Sequence, residues 1–165
     1  MAKSTLDGKR VLLVDDEPDV LAILKEEILE VAPKCKFEMA TTYQEAAKKI
    51  ESQTYDVVLL DIMGVNGFDL LESAVKRNFR VTMLTAHALN VEALNRSFKM
   101  RAMAYLPKEE LGHVVPFLED VLKYEYLLGW KNLMKKLKTF FDSQFESDWE
   151  KKTDLPWAEW DKVGW

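Results

Sequence analysis

The sequence predicts an α/β fold: a doubly wound, five-stranded parallel sheet with helices on both faces, followed by a helical C-terminal extension. Short apolar runs recur along the chain, each separated from the next by a segment of helical length, which is the rhythm of βα units. Runs such as Val57–Leu60 are apolar at every position, as a parallel sheet covered on both faces requires; a half-exposed sheet would alternate with polar residues. All five tryptophans, Trp130, Trp149, Trp157, Trp160 and Trp165, lie beyond Gly129, so the composition changes abruptly there.

Taken in order, the strands are expected at RVLLV (Arg10–Val14), KFEMA (Lys36–Ala40), DVVLLD (Asp56–Asp61), RVTML (Arg80–Leu84) and AMAYL (Ala102–Leu106). Between the first two, Asp19–Val31 places Val20, Ile23, Leu24 and Ile28 at helical spacing, and Tyr43–Ile50 holds the good helix formers QEAAKKI. After Leu111 one helix is expected through VVPFLEDVLKYEYLL, with Pro116 tolerated in its first turns. The body is then residues 8–126 and the aromatic extension residues 127–165. Residues 122, 126, 130, 133, 137, 141, 145 and 149 are Leu, Tyr, Trp, Leu, Leu, Phe, Phe and Trp, an apolar helical stripe. Gly129 weakens a helix there by about 1 kcal/mol relative to alanine, which predicts a bend or break.

A chain of 165 residues supports one core with an appendage. With 48% hydrophobic and 31% charged residues it reads as a globular protein, and a net charge of −5 gives no general attraction to nucleic acid or anionic membrane. No run approaches the roughly eighteen uninterrupted apolar residues of a membrane span, and MAKSTLDGKR lacks a signal peptide's apolar core, so a cytoplasmic location is expected. The single cysteine, Cys35, excludes an internal disulfide framework. In the tail, Lys131, Lys135, Lys136 and Lys138 flank aromatics as a membrane or nucleic-acid patch would, but eight acids from Glu125 to Asp161 offset seven lysines, and the stripe reads as a face that folds back on the body or pairs with a second copy.

The stretch VLLVDDEPDV puts three carboxylates directly after four apolar residues. Neighbouring carboxylates raise one another's pKa unless positive charge intervenes, so the pattern points to a cation. Ligands of an open parallel sheet bind outside the carboxyl ends of its strands. There stand Asp15 and Asp16 after the first strand, Asp61 after the third, Thr85 after the fourth and Lys108 after the fifth. Singly, each has a structural explanation as an N-cap, a strand-end cap, a backbone-bonded hydroxyl or a solvated lysine. Together they make an oxygen-rich site for Mg²⁺, with Asp16 and Asp61 as ligands and Asp15 acting through water. Asp61 is then a nucleophile toward phosphorus, Lys108 a point charge for a phosphoryl oxygen and Thr85 a hydrogen-bond donor.

These residues jointly resemble the receiver domain of two-component response regulators over roughly residues 8–126. The resemblance implies a CheY-like, flavodoxin-like sheet of order 2-1-3-4-5. It further implies a phosphoacceptor, Asp61, that takes its phosphoryl group from a sensor histidine kinase or phosphotransfer protein. Mg²⁺ would be held by Asp16, Asp61 and the main-chain carbonyl of Met63. Such a chain is a conformational switch rather than an enzyme: Thr85 moves toward the phosphoryl group, and Tyr105 in AYLPK turns inward to repack the face of the fourth helix, fifth strand and fifth helix. Output is expected through protein contact, with a homodimer through that face or the tail, and without a DNA-binding domain in this chain.

Three departures qualify the resemblance. DIMGVNGFD lacks the proline common after the phosphoacceptor and makes a shorter loop up to Gly67; Glu109 replaces the proline that often follows the lysine; and His87 stands where it would face the phosphoryl site. The altered loop keeps open a pseudo-receiver that serves as an unphosphorylated interaction module. A phosphatase of the haloacid dehalogenase type would need an acid two residues after Asp61, where Met63 stands, and a flavin or nucleotide binder would not put Asp15, Asp16 and Glu17 where its phosphate belongs.

Overall fold

The computed structural model describes residues 3–165; Met1, Ala2 and the side chain of His87 lie outside the described residues, and with that side chain the expectation for His87. Five strands, β1 (Arg10–Val14), β2 (Lys36–Ala40), β3 (Val57–Asp61), β4 (Arg80–Thr85) and β5 (Ala104–Pro107), form one sheet of order β2-β1-β3-β4-β5. All four pairings are parallel. Helices α1 (Pro18–Val31), α2 (Tyr43–Ser52), α3 (Gly67–Lys76), α4 (Val91–Lys99) and α5 (Val114–Lys123) connect and follow them. α1 packs with α5, and α2 with α3, so the two pairs cover opposite faces. β3 and β5 are buried along their whole length and β1 and β4 all but their first residue, while edge strand β2 exposes Lys36 and Met39. Cys35 is buried, and desolvation, followed by the charges of Asp7 and Asp56, pushes its thiol up to about 11, so it stays protonated and inert.

Several boundaries shift for identifiable reasons. β3 begins at Val57 because Asp56 turns its carboxylate back to accept the Arg10 N–H at 2.9 Å. β5 runs over 104–107 and not 102–106, because Ala102 N–H closes the end of α4 on the Ser97 carbonyl at 3.0 Å. The helix expected through VVPFLEDVLKYEYLL is two helices. α5 stops at Lys123, Tyr124 and Glu125 are extended, and α6 (Tyr126–Gln144) starts afresh. Arg80 causes the stop: its Nη1 donates to the carbonyls of Val121 at 2.7 Å and Tyr124 at 2.9 Å, occupying acceptors at the end of α5. Gly129, expected to mark a break, lies within α6, where its N–H donates to Glu125 at 2.7 Å.

The extension folds back on the body. Trp130, Leu133, Leu137, Phe141 and Trp149 of the apolar stripe are buried and continuous with the main core. The Trp130 ring meets Phe98 of α4 edge-on at 5.3 Å, and its Nε1–H donates to the Ala102 carbonyl at 2.8 Å. Phe141 lies 6.1 Å from Tyr105 of β5. A last helix, α7 (Trp157–Lys162), closes an aromatic cluster in which Trp149, Trp157, Trp160 and Trp165 touch in sequence. Asn95 of α4 pins the chain before it, accepting the Asp154 N–H at 2.7 Å. Two of the four lysines of the tail's basic patch are paired: Lys136 meets Asp120, and Lys138 meets Asp142 and Glu150. Among the described residues no helix is long and apolar enough to cross a membrane.

Candidate functional site

Parallel strands end on one edge, and register decides which ends are neighbours. Val14 pairs with Leu60, so Asp15 and Asp61 leave adjacent strands side by side. Thr85 pairs with Pro107, which brings Lys108 to the same edge from two strands away. A carboxylate oxygen from each of Asp15, Asp16 and Asp61 lies within 4.8 Å of the others. The Lys108 ammonium stands over them, 3.0 Å from Asp15 Oδ2, 3.4 Å from Asp61 Oδ1 and 3.4 Å from Glu17 Oε2. Asp15 Oδ2 is buried without a well-aligned hydrogen bond, but at 3.0 Å a rotatable ammonium meets it as a charge. Its other oxygen accepts the Glu17 N–H at 2.9 Å.

Three acids against one lysine leave the site short of positive charge. Burial raises the Asp15 carboxyl above its ordinary value, against the pull of the Glu17 N–H and Lys108. Burial and then the Asp15 charge raise Asp61, against Lys108 and the Gly64 N–H, which donates to Asp61 Oδ2 at 3.0 Å. For Lys108, burial pulls the ammonium down, but Asp15, Asp61 and Glu17 outweigh it and hold it above its ordinary value. The three carboxylates together offer oxygen ligands, the kind a hard divalent cation prefers.

The connection after β3 completes this edge. Gly67 N–H returns to the Ile62 carbonyl at 2.9 Å, closing the short loop, and Asn66 sits in the left-handed region at φ 55°. A Cβ on Gly67 would lie 2.3 Å from the Asp61 carbonyl oxygen, and one on Gly64 would lie 2.1 Å from Asp16 Oδ1 and 2.6 Å from Asp61 Oδ2. Only glycine fits the first without moving backbone, or the second without moving the acids. The Met63 side chain points to solvent.

Asp15, Asp16, Asp61 and Lys108 thus come together, while Thr85 and Tyr105 are engaged elsewhere. Thr85 is buried and its hydroxyl donates weakly to the Ala86 carbonyl at 3.5 Å. Tyr105 is already fully buried, its hydroxyl donating to the Ala88 carbonyl and its ring beneath Phe141 of α6. Nothing in the sequence alone marks Glu17 as a site residue, and for Gly64 and Gly67 the one signal is the brevity of DIMGVNGFD.

Comparison with known proteins agrees with this geometry. The profile of the response regulator receiver domain matches residues 11–114. The two-component response regulator ARR18 of Arabidopsis thaliana is 36% identical over 88 residues, covering 49% of this chain and 13% of that protein. ORR21 of Oryza sativa subsp. indica is 31% identical over 119 residues, covering 65% of this chain and 16% of its own length. The chain therefore spans under a fifth of the curated relatives it matches. Among solved structures, a CheY-like receiver domain protein of Methanospirillum hungatei JF-1 superposes with a TM-score of 0.58 at 26% identity, covering 70% of this chain and 96% of that one. The receiver domain of the Francisella response regulator 1452 gives 0.55 at 26% identity, covering 67% and 96%.

Proposed function

The chain belongs to the response regulator receiver family of two-component signalling, and on that premise we propose that Asp61 accepts a phosphoryl group from a sensor histidine kinase or phosphotransfer protein. The observation that carries this is the Lys108 ammonium lying between Asp15 at 3.0 Å and Asp61 at 3.4 Å on the edge where three carboxylates converge. An Asp61 oxygen attacks phosphorus as the bond to the donor imidazole breaks, leaving an acyl phosphate on Asp61 and a histidine that takes up a proton. Lys108 meets the charge of the transferred group, and the Thr85 hydroxyl at the end of β4 donates to it once it leaves the Ala86 carbonyl. Asp16, Asp61 and the Met63 carbonyl would hold Mg²⁺, and Asp15 would act through water. Bound there, Mg²⁺ neutralises the carboxylates and the incoming phosphoryl group.

Output passes through the face formed by α4, β5 and α5, where residues 127–165 sit as an appended unit on a receiver body of residues 8–126. Because α6 covers this face, a homodimer through it forms only when the tail moves, and pairing through the tail's own exposed Leu127 and Leu128 is the alternative. The test is incubation with acetyl phosphate and Mg²⁺ followed by intact mass. One phosphoryl adduct on the wild type and none on Asp61→Asn is the expected result; no adduct on either makes the chain an unphosphorylated interaction module.

A further inference from the structure

Gly64 needs an explanation that backbone conformation does not supply. Positive φ among the described glycines occurs at Gly8 and Gly164, so a left-handed backbone is not what residue 64 needs glycine for. Space is what a side chain lacks there. A Cβ would stand 2.1 Å from Asp16 Oδ1, 2.4 Å from Asp16 Cγ and 2.6 Å from Asp61 Oδ2. No carbon approaches oxygen so closely, yet a Mg²⁺ ion lies about 2.0–2.1 Å from its ligands. The empty position of the Gly64 side chain thus adjoins the space a small cation takes between the two carboxylates.

Building on the Mg²⁺ site proposed above, we infer that Gly64 is the positioning residue that keeps this pocket open and Asp16 turned into it. The loop closes by the Gly67 N–H to Ile62 carbonyl bond and so carries residue 64 over the acids. At Gly67 an added Cβ meets backbone, the Asp61 carbonyl at 2.3 Å and Ile62 Cα at 2.8 Å, which cannot swing away. At Gly64 it meets the ends of two side chains. Asp16 is exposed and Asp61 is buried, so an alanine relieves its two shortest contacts by turning Asp16, a cation ligand, outward, and the 2.6 Å contact with Asp61 Oδ2 by a smaller shift of that carboxylate. Residue 64 therefore sets metal affinity without touching the metal, and Gly67 sets the fold of the loop.

The experiment is calorimetric titration of Mg²⁺ into wild type, Gly64→Ala, Asp16→Ala and the double variant, with metal-free melting followed by circular dichroism. Gly64→Ala is expected to keep the wild-type spectrum and weaken Mg²⁺ binding about tenfold or more, the scale of losing a ligand's support. In the Asp16→Ala background the same change should add little, because the displaced ligand is already gone. Should Gly64→Ala fold poorly, Asp16→Ala must recover part of its melting temperature by removing the two shortest contacts, the one with Asp61 Oδ2 remaining. Wild-type affinity in Gly64→Ala, or instability that Asp16→Ala does not relieve, overturns the role of Gly64 and leaves the phosphoacceptor reading intact. Absence of Mg²⁺ binding by the wild type removes the cation site itself and this inference with it.

Discussion

The carboxyl edge of the sheet and the flank of β5 beneath the tail are built on opposite principles. At the edge, Asp15 and Asp61 are nearly buried beside Asp16 with Lys108 the ammonium between them. On the flank, Tyr105, Trp130, Phe141 and Trp149 are almost wholly buried and meet rings or backbone acceptors. The first region concentrates like charge at a cost in stability, and the second removes large apolar area from water. A chain tolerates a strained, charged site when its core supplies the difference. Tyr105 belongs to both, three residues before Lys108 and directly beneath Phe141.

Trp130→Ala gives the largest expected effect. Removing a fully buried indole whose N–H serves the Ala102 carbonyl should cost about 3–5 kcal/mol, read as a lower urea midpoint. A loss under about 1 kcal/mol would mean that the tail does not rest on this face in solution, and the contrast between the regions would fail. Tyr105→Phe comes next. The ring stays under Phe141, but the Ala88 carbonyl loses its donor, a cost of about 1–1.5 kcal/mol visible in the same titration. That donor also anchors a strained turn, since Ala88 at φ 61° and Leu89 at φ 56° both occupy the region that side chains avoid. A neutral substitution would show that the loop after Thr85 holds its shape without Tyr105.

The comparison also explains what the sequence disclosed. Strand ends were readable because a wholly apolar run such as VVLL stops at a charge, and in a parallel sheet every such stop faces the same edge; Asp15, Asp16, Asp61 and Lys108 followed from that rule. The tail's stripe was readable as a helix, but not the flank that receives it, because periodicity names a face without naming its partner. The break at Tyr124 was hidden because its cause, Arg80, lies over forty residues earlier, while Gly129, a local signal, predicted a break that packing overrides. Thr85 and Tyr105 were placed on the right strands, yet their hydroxyl partners depend on how the following loop turns. The role of Gly64 likewise needs the closed loop before its missing side chain has any meaning.

The smallest expected effect has the opposite sign and sharpens the contrast most. Burial, then the Asp15 charge, holds the Asp61 carboxyl above its ordinary 3.8 in the folded protein. A carboxyl that binds its proton more tightly folded than unfolded favours folding while protonated, so its contribution is lost as pH rises from that unfolded value through the folded one, and the penalty persists at neutral pH. Asp61→Asn removes the charge and keeps the shape. In metal-free buffer the variant should therefore melt slightly above the wild type at neutral pH, with the gap closing as the pH falls toward the ordinary carboxyl value of 3.8. Adding Mg²⁺ should narrow the neutral-pH gap as well, because a ligand stabilises the state that binds it and only the wild type retains the full carboxylate set. A variant that melts lower than the wild type at neutral pH would mean that the Lys108 contact at 3.4 Å outweighs burial and Asp15, and that the acidic edge stabilises the fold.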